Sequence, residues 1–256
     1  MSRGFTLVEL ITVMMVLGIL SVGTVRFITD SSSGFATTVT RAELAGDARF
    51  AVERLAREVR DALPNSVRVT GACLEYVPVL GASRYVTLPL TSLATSFRAH
   101  PIYPLPVPAG ARVAVFPDGA VYDLTAPATV SPTVTVSAPD ADNEVTITMA
   151  SAHRFAVESP ADRMFLVDTP VSVCADGGRL WRYVNYGFNV VQPTVGGLPS
   201  GLPNRALLAQ EVVSTTPFAL NAPTLTRNAV LAIDLEFARG DDQVRIEHLV
   251  QVRNVP

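Results

Sequence analysis

From Phe5 to Val25 the chain is apolar or small at almost every position, relieved by a few hydroxyls and one carboxylate, Glu9. At about 1.5 Å per residue these roughly 21 residues reach about 30 Å, the thickness of a bilayer's hydrocarbon. Residues 5–27 are therefore expected to form a membrane-crossing helix. Ser31-Ser32-Ser33-Gly34 interrupts the apolar pattern and predicts a kink where the helix leaves the apolar phase. Beyond it the period returns to three and four residues. Leu44, Ala48, Ala51, Leu55, Val59 and Ala62 make one stripe, so 28–63 reads as an amphipathic helix ended by Pro64-Asn65.

After residue 64 the period shortens to two. Strands are expected at 74–79, 85–90, 112–116, 134–136, 144–149, 164–167, 171–174 and 179–184. Ala175-Asp176-Gly177-Gly178 marks a hairpin turn between the last two. The clearest pair is C-terminal. Leu231, Ile233, Leu235 and Phe237 alternate with polar or small residues. Beyond Gly240-Asp241-Asp242, Val244, Ile246, His248, Val250 and Val252 do the same, through to Arg253. That is an antiparallel hairpin with one buried face. Proline-rich stretches at 100–106 and 198–204 read as loops. The fold class is α+β: one long helix packed on an antiparallel β-rich domain, residues 64–256.

Glu9 is the position that carries chemistry. An unpaired carboxylate in hydrocarbon costs several kcal/mol, so such a residue implies a specific partner. Cleavage between Gly4 and Phe5 would leave an α-amino group about one helical turn away, in the same chain or in a staggered neighbour. Gly4-Phe5-Thr6-Leu7-Val8-Glu9-Leu10 resembles the class III signal of type IV prepilins and pseudopilins. The resemblance implies a leader, residues 1–4, removed by a prepilin peptidase after Gly4. It implies N-methylation of Phe5 and a subunit-assembly role for Glu9. It also implies an inner-membrane precursor, single pass, with its C-terminal domain in the periplasm, that joins other pilins in a filament.

Further patches are similar to minor pilin-like proteins of the mannose-sensitive haemagglutinin (MSHA) pilus system. They are RFAVERLAREVRDALPNSVRV, Cys73 followed by Leu74-Glu75-Tyr76-Val77-Pro78, PVSVC with DGGRLWRY, and the terminal HLVQVRNVP. The implied role is assembly or initiation of a pilus, with surface attachment through a ligand of the β domain as an accessory. A J-type pseudopilin of a type II secretion system and a tip-displayed adhesin are the alternatives.

Composition adds constraints. Across 256 residues the formal net charge is −3 and all 20 basic residues are Arg, which gives no electrostatic ground for a nucleic-acid partner. The two cysteines, Cys73 and Cys174, suit one disulfide in an exported domain; two separate buried thiols are the other reading. A loop that long makes a disulfide worth on the order of 4–5 kcal/mol by chain entropy.

Other tempting groups have plainer readings. Arg239-Gly240-Asp241 matches an adhesion tripeptide but sits where a hairpin needs its turn. Asp140, Asp142 and Glu144 have calcium-loop spacing, but Val145 stands where an EF-hand needs Gly. His100, His153 and His248 lack metal-ligand spacing, and His248 is expected as a satisfied core residue. Trp181, with Tyr183 and Tyr186 nearby, suits core packing better than sugar stacking. No nucleophile motif and no cofactor signature appear, so no enzymatic activity is expected.

Overall fold

A computed structural model describes residues 6–118, 120–221 and 228–252. Its dominant element is helix α1, Leu7–Arg60, 54 residues and about 80 Å long. The expected kink at Ser31–Gly34 is absent: the helix passes through that segment unbroken. Its hydroxyls bond inward rather than capping a break. Ser33 donates to Asp30 O at 2.9 Å, Thr38 to Gly34 O at 2.9 Å and Thr40 to Ala36 O at 3.0 Å. The helix stops at Arg60, three residues short of Leu63, with the Asp61 N–H closing on Arg57 O at 3.2 Å.

Fourteen strands follow among the described residues. They are β1 Arg68–Thr70, β2 Cys73–Tyr76, β3 Val79–Arg84, β4 Ala94–Ala99, β5 Arg112–Val115, β6 Val130–Val136 and β7 Val145–His153. The rest are β8 Arg163–Val167, β9 Val171–Asp176, β10 Arg179–Tyr183, β11 Arg205–Gln210, β12 Phe218–Asn221, β13 Ala229–Arg239 and β14 Asp242–Val252. Every pairing between them is antiparallel. Segment 85–90 is not a strand; only Tyr85 takes part, in a single bridge. Arg253 and the last three residues of the HLVQVRNVP patch lie outside the described residues.

One layer wraps the helix. The sheet β1-β2-β9-β10-β11 continues into β12-β13-β14 through the Val212–Phe237 bridge, with Val213 N–Glu236 O and Ala238 N–Glu211 O both at 2.9 Å. Its inner face buries Leu74, Val173, Leu180, Leu231, Leu235 and Phe237 against Leu44, Ala48, Ala51, Leu55 and Val59 of α1. Five of the six stripe residues named from periodicity are these, and the sixth, Ala62, is buried as well. Gly177 and Gly178 turn β9 into β10 with φ of 57° and 74°, the left-handed pair that a type I′ hairpin requires.

The second layer is an insertion. Between β2 and β9, residues 79–167 form a six-stranded sheet in the order β3-β8-β5-β6-β7-β4. A Tyr85–Ala99 bridge, with Val86 N–Arg98 O at 2.8 Å and His100 N–Arg84 O at 2.9 Å, joins the last strand to the first. The sheet thus closes into a small barrel with its own core of Phe97, Val113, Ile147, Phe155, Met164 and Leu166. Pro132, which lacks an N–H, sits in β6 where the β5–β6 register shifts; there Ser131 Oγ takes the Val113 N–H at 2.9 Å. The proline-rich loop lies on β3. A Cβ on Gly81 would fall 2.1 Å from Tyr103 O, so only glycine fits there. A third cluster, Leu63, Val77, Ala114, Val121, Val130 and Val167, joins the barrel to the end of the helix.

Candidate functional site

The two ends of α1 have different surroundings. Nothing from Thr6 to Val39 is buried, and the helix is long and apolar enough there to cross a membrane. Thr6 is the N-cap: its hydroxyl accepts the Glu9 N–H at 3.3 Å. Thr12 donates to Val8 O and Glu9 O at 3.0 Å, Ser21 to Leu17 O at 2.7 Å and Thr24 to Leu20 O at 2.8 Å. Every hydroxyl of the apolar stretch is thereby satisfied within the helix. The Glu9 side chain is different: among the described residues no ion pair reaches it. Gly4 and Phe5, the expected cleavage and methylation residues, lie outside the described residues.

The other end is bolted to the domain by charge as well as by its stripe. Arg41 meets Asp242 at 2.7 Å, and Arg239 meets both Glu43 at 2.8 Å and Glu211 at 2.7 Å. The arginine of the adhesion-like tripeptide is therefore committed to holding the helix base. Further along, Glu58 accepts from Tyr76 Oη, from Arg54 at 2.9 Å and from Arg182 at 3.1 Å. Burial pushes the Glu58 carboxyl up, yet the Tyr76, Arg54 and Arg182 contacts together hold it below the usual carboxylate range. Glu58 lies off the apolar stripe of the helix. The hydroxyl and the arginine that claim it come from strands β2 and β10, so local spacing carried no sign of them.

Cys73 and Cys174 form a disulfide between directly opposed residues of β2 and β9, their Cα atoms 4.1 Å apart. It lies where the chain leaves for the barrel and returns. Beside it Glu75 is fully buried, paired with Arg68 and accepting the Tyr186 hydroxyl at 2.8 Å. Desolvation dominates there and raises the Glu75 carboxyl despite Arg68. Arg68 also donates to Val190 O and Asn189 O at 2.7 Å and stacks 3.5 Å over Tyr122. This second hub fastens the β10–β11 loop over the disulfide, and the sequence reading missed it too.

The remaining candidates are dispersed. Asp140 Oδ1 accepts the N–H groups of Asp142 and Glu144 at 3.0 and 2.9 Å, and Arg98 contacts Glu144 at 2.6 Å, so the acidic triplet shapes a turn. His153 is buried edge-on to Phe155 at 4.7 Å, while His100 is exposed. His248 is only half-buried, and its Nε2 has no hydrogen-bond partner among the described residues, contrary to the satisfied core residue expected. The strand lies at the edge of its sheet, where α1 covers it incompletely. Trp181 is half-buried on the face of β10 away from the helix.

A profile of the prokaryotic N-terminal methylation motif matches residues 1–25. No curated protein and no solved structure matches the chain. The motif, the exposed apolar helix and the antiparallel domain behind it support a type IV prepilin- or pseudopilin-like protein, anchored in a membrane by its N-terminal helix. The motif implies processing by a prepilin peptidase and assembly with other pilins.

Proposed function

We propose that this chain is a minor pilin-like subunit of a type IV pilus of the MSHA kind, in the role that MshO has there, acting in filament assembly or initiation. The observation that carries the reading is Glu9, the one carboxylate of the 5–25 stretch, which has no ion pair among the described residues while the hydroxyls around it are satisfied within the helix. The precursor would lie across the inner membrane with residues 1–4 in the cytoplasm, 5–27 in lipid, and the domain in the periplasm. Arg3 on the cytoplasmic side fits the charge bias of such topologies.

Cutting after Gly4 gives Phe5 a free amine, subsequently methylated. An incoming subunit's Glu9 then neutralises an amine in the helix bundle, which offsets the desolvation of both charges as lipid is exchanged for packed helices. Because Glu9 is present, this subunit can follow another in the filament. The size of the globular part, with a whole barrel inserted into it, favours a subunit used in few copies over a major pilin.

Intact-mass measurement of the protein from its native membrane tests the processing. The expected species lacks Met1–Gly4 and carries one added methyl. A full-length mass from cells with an active prepilin peptidase would leave only an anchored domain. A J-type pseudopilin of a type II secretion system shares this chemistry. Co-purification with pilus rather than secretion components separates the two.

A further inference from the structure

The outer face of β10 carries a group with no part in the assembly chemistry proposed for Glu9. Arg179 and Trp181 are two residues apart on that face, and Arg205 reaches them from β11. The Arg205 guanidinium lies 3.8 Å from the indole centroid and that of Arg179 lies 5.9 Å away. Neither forms an ion pair among the described residues; Asp176, opposite Arg179 in the hairpin register, makes none with it. Several arginines elsewhere are held by carboxylates: Arg68 by Glu75, Arg182 by Glu58, Arg239 by Glu43 and Glu211, Arg245 by Asp234.

The local backbone is shaped around this group. The β10–β11 register shifts between Leu180 and Trp181, a bulge of the kind that re-aims a side chain. Trp181 is backed by the buried disulfide, Tyr183 and Leu198, which fix the indole in place. Its register partner Leu207 is 42 % exposed, so an apolar step adjoins the two cations. Stacking on an indole restrains a guanidinium in position while leaving its N–H fork free for a carboxylate or sulfate.

We infer that Arg179, Trp181 and Arg205 form a binding site for an acidic polysaccharide, the guanidiniums taking the carboxylate or sulfate and the Leu207 step taking the apolar face of a sugar ring. An open shelf on a sheet suits a polymer chain better than a small enclosed ligand. The overall charge of −3 leaves no broad basic field, so recognition is local to this shelf. The inference rests on the β domain and holds whether or not the chain enters a filament.

Trp181 is the chain's single tryptophan, so its emission reports on the site alone. The full chain in detergent micelles is titrated with polygalacturonate (carboxylate), heparin (sulfate) or neutral dextran. The expected result is a saturable emission change with at least one acidic polymer and none with dextran; which polymer acts identifies the anion. The variant R179Q/R205Q is expected to weaken binding by roughly tenfold or more, equivalent to about 1.4 kcal/mol or more. R49Q/R60Q removes the same charge from the exposed helix face and is expected to bind nearly as the parent does. Circular dichroism and the intact disulfide establish that the variants are folded. Absence of any emission change or retention by the acidic polymers would overturn the inference. So would equal binding by R179Q/R205Q, or equally tight binding of single-stranded DNA, which would mark a general polyanion surface.

Discussion

Helix α1 is one element in two environments. Its first 33 residues, Leu7–Val39, bury nothing, whereas between Leu44 and Val59 seven residues are buried against the domain. Helical geometry is the same in both halves; what differs is where the side chains find their partners. The lower half is held by Leu44, Ala48, Leu55 and Val59 and by ion pairs at Arg41, Glu43 and Glu58. The upper half closes its hydroxyls onto its own carbonyls and leaves its apolar surface, with Glu9 inside it, for lipid or other chains. The contacts that hold the domain and the carboxylate proposed for assembly thus fall in separate stretches of one helix.

Substitutions can break that separation. The largest effect is expected from Glu9→Val, which should abolish incorporation into sheared filaments while the melting temperature of the domain stays unchanged. Loss of both would mean that the halves are coupled. Next, Leu55→Ala removes a fully buried side chain and should cost about 2–5 kcal/mol in denaturant titration, whereas Leu17→Ala in the exposed half should cost the domain nothing measurable. Cys73→Ser with Cys174→Ser should cost about 2–4 kcal/mol, read the same way, without changing insertion into membranes.

Acid titration separates two carboxylates, Glu58 of the lower half and Glu75 of β2. Glu58 is held below its ordinary value, so its contribution is present above the unfolded carboxylate range and is lost as pH falls through its folded value. Glu75 is raised by burial, so its contribution has the opposite sign: full in acid and lost as pH rises through the folded value. Glu58→Gln should therefore lower neutral stability by about 1–3 kcal/mol and flatten the acid limb of the stability–pH curve. Glu75→Gln should leave that acid loss in place. The smallest effect belongs to Arg239→Ala, whose pairs with Glu43 and Glu211 are exposed. A loss below about 1 kcal/mol is expected, and cell adhesion should be unaffected.

The parts of this molecule that could be read from sequence are those whose signal is local. The apolar stripe of α1, the alternation from Ala229 to Val252, and the Gly177-Gly178 turn each declare their geometry within a few residues. The serine run misled because Ser and Thr suit a helix break in isolation, yet here their hydroxyls fold back onto the preceding turn. β1 and β12 were missed because they run only three and four residues, and β11 because its partner, β10, lies across the long loop that Arg68 fastens. Barrel closure through Tyr85 and Ala99 has no local mark at all. At the candidate site the same rule holds. Glu9 was visible from its neighbours, whereas Glu58 and Arg68 acquire their roles only once β2, β10 and the β10–β11 loop meet them.

The disulfide has a mechanical side. A subunit held by its helix and tugged by its barrel would feel the load arrive at β2 and β9 together, since both chain crossings enter the main sheet at that point. Only three residue pairs, Tyr76–Val171 to Leu74–Val173, separate that entry from a covalent bond. Peeling can travel that far and no farther. Beyond it the two strands share any tension, and the sheet that grips the helix is shielded from whatever happens to the barrel.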